Sequence, residues 1–169
     1  MLTINLLGEL SFVVNGEPVK PLRSRTATAL FLFLACQQRP VSREYLAGHF
    51  WEDRNETQAA ANLRTALKLL RRPFAPYLTI TRQTVAFNQE SDHIIDALTF
   101  AHQLEQIPRQ RPLSLQTADQ LTAALALFGG DFLQGFHLPN APSFEEWQAG
   151  QQRHFRRLAE DGLHRLIQY

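Results

Sequence analysis

The sequence predicts an α+β fold, built from a small antiparallel sheet, three helices and a terminal β-hairpin, followed by an all-helical region. Three observations predict it. Apolar and polar residues alternate with period two at Leu2, Ile4 and Leu6 and again at Val85 and Phe87, which is the mark of half-buried strands. Between those stretches, Leu63, Leu67 and Leu70, with Ala59, Ala60 and Ala66, recur at the spacing of a helix with one buried face. Beyond residue 91 the apolar stripes take helical spacing.

The first strands run through Leu2–Leu6 and Leu10–Val14, with Gly8 breaking the run between them. Asn15-Gly16 is a strong hairpin signal, because both turn positions need positive φ, and Val19 lies on the returning side. Ser24 caps a first helix, RTATALFLFLACQQ, which is apolar nearly all round and therefore central to a core. Pro40 separates it from a second helix capped by Ser42, with Leu46, Phe50 and Trp51 as its buried residues. The polar loop WEDRNE follows. Asn55 then caps the third helix, with Gln58 completing a capping box.

Pro73 and Pro76 are expected to stop that helix, since each lacks an N–H and clashes with the preceding turn. Leu78–Ile80 and Val85–Phe87 then read as a hairpin turning near Arg82 and Gln83. A basic-faced helix followed at once by a hairpin with an arginine at its tip is the outline of a winged helix. The second half carries helices over His93–Gln106, over residues 117–128 and from Phe144 to the end.

Composition bounds the function. A chain of 169 residues suits one large domain or two small ones, and 44% hydrophobic residues suffice for a real core. Cys36 is the one cysteine, so there is neither a disulfide framework nor a cysteine-based metal site, which fits a reducing cytoplasm. No signal peptide is read at the start and no apolar run approaches the ~20 residues that span a bilayer. A cytoplasmic protein without membrane contact is expected.

Charge is distributed unevenly. Residues 1–92 hold 11 Lys/Arg against 8 Asp/Glu, whereas residues 93–169 hold 6 against 8. From Thr57 to Gln89 there are five Lys/Arg and no acid, in a chain of net charge +1. A polyanion is the partner such a local field attracts. The break falls near Gln89–Asp92, giving an expected domain at 1–90 and a second at 91–169.

Enzyme chemistry has no support. The six histidines form no His-x-x-x-His or Glu-x-x-His pair, so no metal site is expected. Gly129-Gly130-Asp131 lacks the Lys-Ser/Thr of a phosphate loop and reads as a tight turn. Glu145 and Glu146 are adjacent, so on a helix they point about 100° apart and cannot act as an acid/base pair. No cofactor is expected.

LTINLLGELSFVVNGEPV, PVSREYLAGHFW and AAANLRTALKLLRR resemble the winged-helix domain of the OmpR/PhoB type. More narrowly, they resemble its version in the Streptomyces antibiotic regulatory protein (SARP) family of transcriptional activators. That family follows the wing with a bacterial transcriptional activator domain, a helical region similar to tetratricopeptide repeats. Asp96 and Phe100, the segment ADQLTAALALFGGDFLQGF, and FEEWQAGQQRHFRRLAEDGLHRL resemble its opening parts. Phe128 stands where the family often has tyrosine, Gln151-Gln152 where it is more acidic, and the helical region is shorter than the family's.

The resemblance implies a promoter-binding transcriptional activator acting on double-stranded DNA as two or more copies, a homodimer among them. Asn62, Thr65 and Lys68 would read base edges, while Arg64, Arg71 and Arg72 would hold phosphates. Arg82 is similar to the family's wing arginine at the minor groove, and Arg43 at its helix start would hold a further phosphate. The loop with Glu52, Asp53 and Arg54 corresponds to the place where OmpR-like winged helices contact RNA polymerase. Glu56 there is read as stabilising a helix N-terminus. The rival is a protein-interaction scaffold whose winged helix has lost DNA. Leu163, Leu166 and Ile167, uncovered at the chain's end, would favour self-association or the docking of further helices in a longer chain.

Overall fold

The computed structural model describes residues 1–20, 22–109 and 111–168. The chain forms two compact units that interleave along the sequence. One comprises Met1–Val19, His93–Phe136 and Gln148–Tyr169, the other Lys20–Asp92 and His137–Trp147.

In the first unit, β1 (Leu2–Asn5), β2 (Ser11–Val14) and β3 (Glu17–Pro18) form the expected antiparallel ribbon. Asn15 and Gly16 adopt φ of 51° and 83°, as the two-residue turn demands. The sheet is mixed rather than antiparallel, because a short strand that periodicity did not separate from the following helix, His93–Ile95, pairs parallel to β1. It is β7 in chain order, since β4 to β6 belong to the other unit. Helix α4 (Asp96–Gln106) follows it directly. Helix α5 spans Leu115–Leu125, two residues earlier at its start than its apolar pattern predicts.

Asp96 ties this unit together. Its carboxylate accepts hydrogen bonds from Leu6 N at 2.7 Å, Leu7 N at 3.0 Å and Ala97 N at 2.7 Å. Two loops also meet closely. Gly8 N donates to Asp131 O and Gln134 N to Gly8 O, both at 3.0 Å. A Cβ on Gly129 would lie 3.1 Å from Leu7 O, so the glycine pair is a point of close backbone approach. Phe132 stacks on Phe155 at 5.4 Å, and Phe128 lies 5.7 Å from Phe100.

The second unit is a winged-helix arrangement of α1 (Arg25–Gln37), α2 (Arg43–Phe50), α3 (Glu56–Phe74) and a three-stranded sheet of order β4-β6-β5. The strands are β4 (Val41–Ser42), β5 (Leu78–Ile80) and β6 (Thr84–Phe87). All three helix starts carry the expected caps. Ser24 Oγ accepts from Ala27 N, Ser42 Oγ from Tyr45 N and Asn55 Oδ1 from Gln58 N. Helix α1 is buried continuously from Ala27 to Ala35 and forms the centre of the core.

Pro73 does not end α3. It sits inside the last turn, which continues to Phe74 before a 3-10 turn at Ala75–Tyr77. A proline so near the helix end removes a single bond, and Phe74 is fully buried and stacked on Phe31 at 4.2 Å. Burial of that ring, worth about 1.5–3 kcal/mol, offsets the roughly 3 kcal/mol proline penalty.

The long helix α6 (Pro142–Ile167) supplies its first turns, through Trp147, to the winged-helix unit and the rest to the other. Phe144 lies 5.7 Å from Phe50, and Trp147 packs edge-on to Phe33 at 5.1 Å. Glu52 Oε1 accepts from Ser143 N at 2.9 Å and so caps the start of α6. At the other end of the helix, Leu163 is 51% and Ile167 82% exposed, whereas Leu166 is half-buried. Among the described residues no helix is long and apolar enough to cross a membrane.

Candidate nucleic-acid interface

Helix α3 buries Ala59, Leu63, Ala66, Leu67, Leu70 and Phe74. Its opposite side is therefore fixed outward. At about 100° per residue, the exposed stripe centres on Lys68, with Arg64 and Arg72 about 40° to either side and Thr65 and Arg71 about 60° away. All five are exposed. Asn62 lies about 120° round from Lys68, half-buried at the edge of the packed face. Among the described residues no acidic side chain pairs with Arg64, Lys68, Arg71, Arg72 or Arg82. Along the chain no Asp or Glu stands between Thr57 and Gln89, so no acid interrupts the stripe itself.

Thr65 is not an open hydroxyl. Its Oγ1 donates to Ala61 O at 3.2 Å, the back-bond of a helical threonine, so only its lone pairs remain for a ligand.

Arg82 stands exposed at the wing tip, in the turn between β5 and β6. Thr81 closes that turn. Its main-chain N–H donates to Thr84 O at 2.9 Å, and its Oγ1 accepts from Thr84 N at 2.9 Å and Gln83 N at 3.2 Å. Arg43 reaches the same turn from the first residue of α2. Its main-chain N–H donates to Gln83 O at 2.9 Å and its Nε to Thr81 O at 2.8 Å. The sequence signals alone did not link α2 to the wing.

The structure brings Arg43, Arg64 and Arg82 to the rim of one groove of about 670 Å³. Its lining includes the small and apolar Ala47, Gly48, Ala59, Ala60 and Leu63. Glu44, Glu52, Arg54 and Glu56 also line it. Lys68, Arg71 and Arg72 lie further along α3, outside this groove.

In the loop before α3, Asp53 and Arg54 form an ion pair at 3.8 Å, with side chains 56% and 51% exposed. Glu52 differs from them, because its carboxylate is engaged at Ser143.

His49, in the last turn of α2, carries a buried Nε2 with no hydrogen-bond partner among the described residues. Its ring sits 4.8 Å from Phe33, 5.0 Å from Phe50 and 5.5 Å from Tyr45. Burial lowers its pKa below the ordinary 6.5, while the charge of Glu52 opposes that shift. A depressed histidine pKa means the unfolded chain binds the proton more tightly. Stability is therefore full above about pH 6.5 and is lost as pH falls from there through the folded value. Urea titrations across that range should detect this slope, and His49→Phe should flatten it. An unchanged slope would mean that His49 titrates freely.

No family model matches this chain, and no curated protein matches it. Among solved structures, Mycobacterium tuberculosis EmbR, in complex with a low-affinity phosphopeptide, matches 98% of this chain at 19% identity and a TM-score of 0.73. This chain spans 45% of the length of that neighbour. At such identity the likeness is one of fold.

Proposed function

We propose that this protein is a SARP-type transcriptional regulator that binds promoter DNA in a sequence-specific manner and activates transcription. The observation that carries the reading is the acid-free stripe of Arg64, Lys68, Arg71 and Arg72 on the outer face of α3, with Arg82 on the adjoining wing. A helix of this kind fits the major groove, where its side chains meet a distinct donor and acceptor pattern at each base pair. The SARP-like fold shared with EmbR supports the same class.

In this reading the functional divisions are a DNA-binding portion at 1–90 and a helical, tetratricopeptide-like activator portion at 91–169. Lys68, at the centre of the stripe, reads base edges, and Asn62 contributes from its flank. Thr65 serves as an acceptor, pairing with a donor such as a cytosine or adenine amino group. Arg64, Arg71 and Arg72 hold phosphates and set register, and Arg82 enters the minor groove. The polymerase-facing loop is reduced to Asp53 and Arg54, since Glu52 is engaged as a helix cap. The regulator binds as two or more copies, with Leu163 and Ile167 available to a homodimer contact.

The test is a salt series of binding to promoter-sized duplex. About five contacts predict a slope of log K against log salt near −0.9 per phosphate, several units in total. Arg72→Ala should weaken every duplex alike and reduce the slope by about one, whereas Lys68→Ala should relax sequence preference by roughly 1–3 kcal/mol. No duplex binding at low salt, or a flat response, would leave the protein-interaction scaffold as the better account.

A further inference from the structure

Arg43 is one of eight residues in α2, yet its polar contacts go to the wing. Two carbonyls of the tip turn, Thr81 O and Gln83 O, accept from this single residue, one through its Nε and one through its main-chain N–H. Immediately before it, Val41 and Ser42 pair with Val85 and Thr84, so β4 ends where the strap begins. Helix α2 also packs on α3, with Ala47 and Leu46 on its buried face. Beside the β4 pairing, Arg43 therefore ties the tip turn to the helical layer that carries Arg64 and Lys68. Within the turn the closing hydrogen bonds run between Thr81 and the next residues Gln83 and Thr84, and the hairpin strand β5 is three residues long. Such a hairpin has little stiffness of its own.

We infer that Arg43 is a positioning residue for DNA binding, fixing the wing so that Arg82 is presented at a set distance from α3. This rests on the DNA-binding reading and departs from its simplest form, in which Arg43 is one more phosphate clamp. The two roles differ in chemistry. A clamp needs positive charge, which lysine also has. A strap needs the Nε–H held in the planar guanidinium, which lysine lacks.

The experiment is a double-mutant cycle on duplex binding with the parent, Arg43→Ala, Arg82→Ala and the pair together, plus Arg43→Lys, each measured across a salt series. If Arg43 acts through Arg82, the double variant binds like Arg82→Ala alone, and its salt slope is about one unit below the parent's rather than two. Arg43→Lys should then lose as much affinity as Arg43→Ala. Additive losses, a two-unit fall in slope and full rescue by Arg43→Lys would overturn the inference in favour of a clamp.

A second arm needs no DNA. Amide exchange of Gln83 and Thr84, both bonded to Thr81 Oγ1, should quicken in Arg43→Lys, which removes the Nε bond to Thr81 O and keeps the main-chain bond to Gln83 O. Unchanged exchange at both amides would also overturn the inference. If the parent fails to bind duplex at any salt concentration, the function reading fails, and the exchange arm still decides whether Arg43 holds the wing.

Discussion

Phe31→Ala is expected to destabilise the winged-helix unit by about 3–5 kcal/mol, the usual loss for a buried phenylalanine cut to a methyl group. Phe31 is fully buried, stacks on Phe74 of α3 at 4.2 Å and meets Phe87 of β6 at 5.7 Å. One ring thus joins the central helix, the end of α3 and the wing. Both tryptophans, Trp51 and Trp147, belong to this unit, so urea unfolding followed by tryptophan fluorescence reads it selectively. If the proposed function holds, duplex affinity should fall with stability, since α3 and the wing lose a shared support. A midpoint shift worth under about 1 kcal/mol would show that the neighbouring side chains refill the space.

Asp96→Ala should strike the other unit. The carboxylate serves Leu6 N, Leu7 N and Ala97 N, and Leu6 and Leu7 are buried. Each buried donor left without an acceptor costs about 1–3 kcal/mol, so the two at the end of β1 together cost roughly 2–6 kcal/mol. Asp96→Asn should recover only part, because one of its two polar atoms is itself a donor. Far-UV circular dichroism should register the loss, while tryptophan fluorescence should move less. Equal shifts in both signals would mean that the two units unfold together.

Asp96 also carries a pH signature. Burial raises its pKa above the ordinary 3.8, and the N–H groups of Leu6, Leu7 and Ala97 pull it back. A raised carboxyl pKa means that the folded form holds the proton more tightly. Its contribution to stability is therefore full below pH 3.8 and is lost as pH rises through the folded value. This slope runs opposite to that of His49.

Much of the chain was legible because its signals are local. A cap needs one side-chain oxygen three residues before an N–H, and Ser24, Ser42 and Asn55 each supply it. Asn15-Gly16 needs only two left-handed residues. The stripe of α3 follows from helical geometry, which also fixes Lys68 at its outer centre. Departures came where distant partners decide. The three residues His93–Ile95 are too few for a period to declare itself, and pairing with β1 made them a strand. Pro73 is tolerated in a helix because Phe31, some forty positions earlier, receives Phe74.

By itself, then, the sequence determined the helices and their caps, the hairpins and the basic outer face of α3. Each depends on residues within a turn or two of one another. Tertiary structure alone decided that Asp96 would bind the end of β1, 90 residues away, and that Glu52 would cap a helix at Ser143. It alone turned Arg43 toward the wing. Those contacts join polar groups whose spacing along the chain has no period, and hydrogen bonding requires only that folding bring donor and acceptor within about 3 Å.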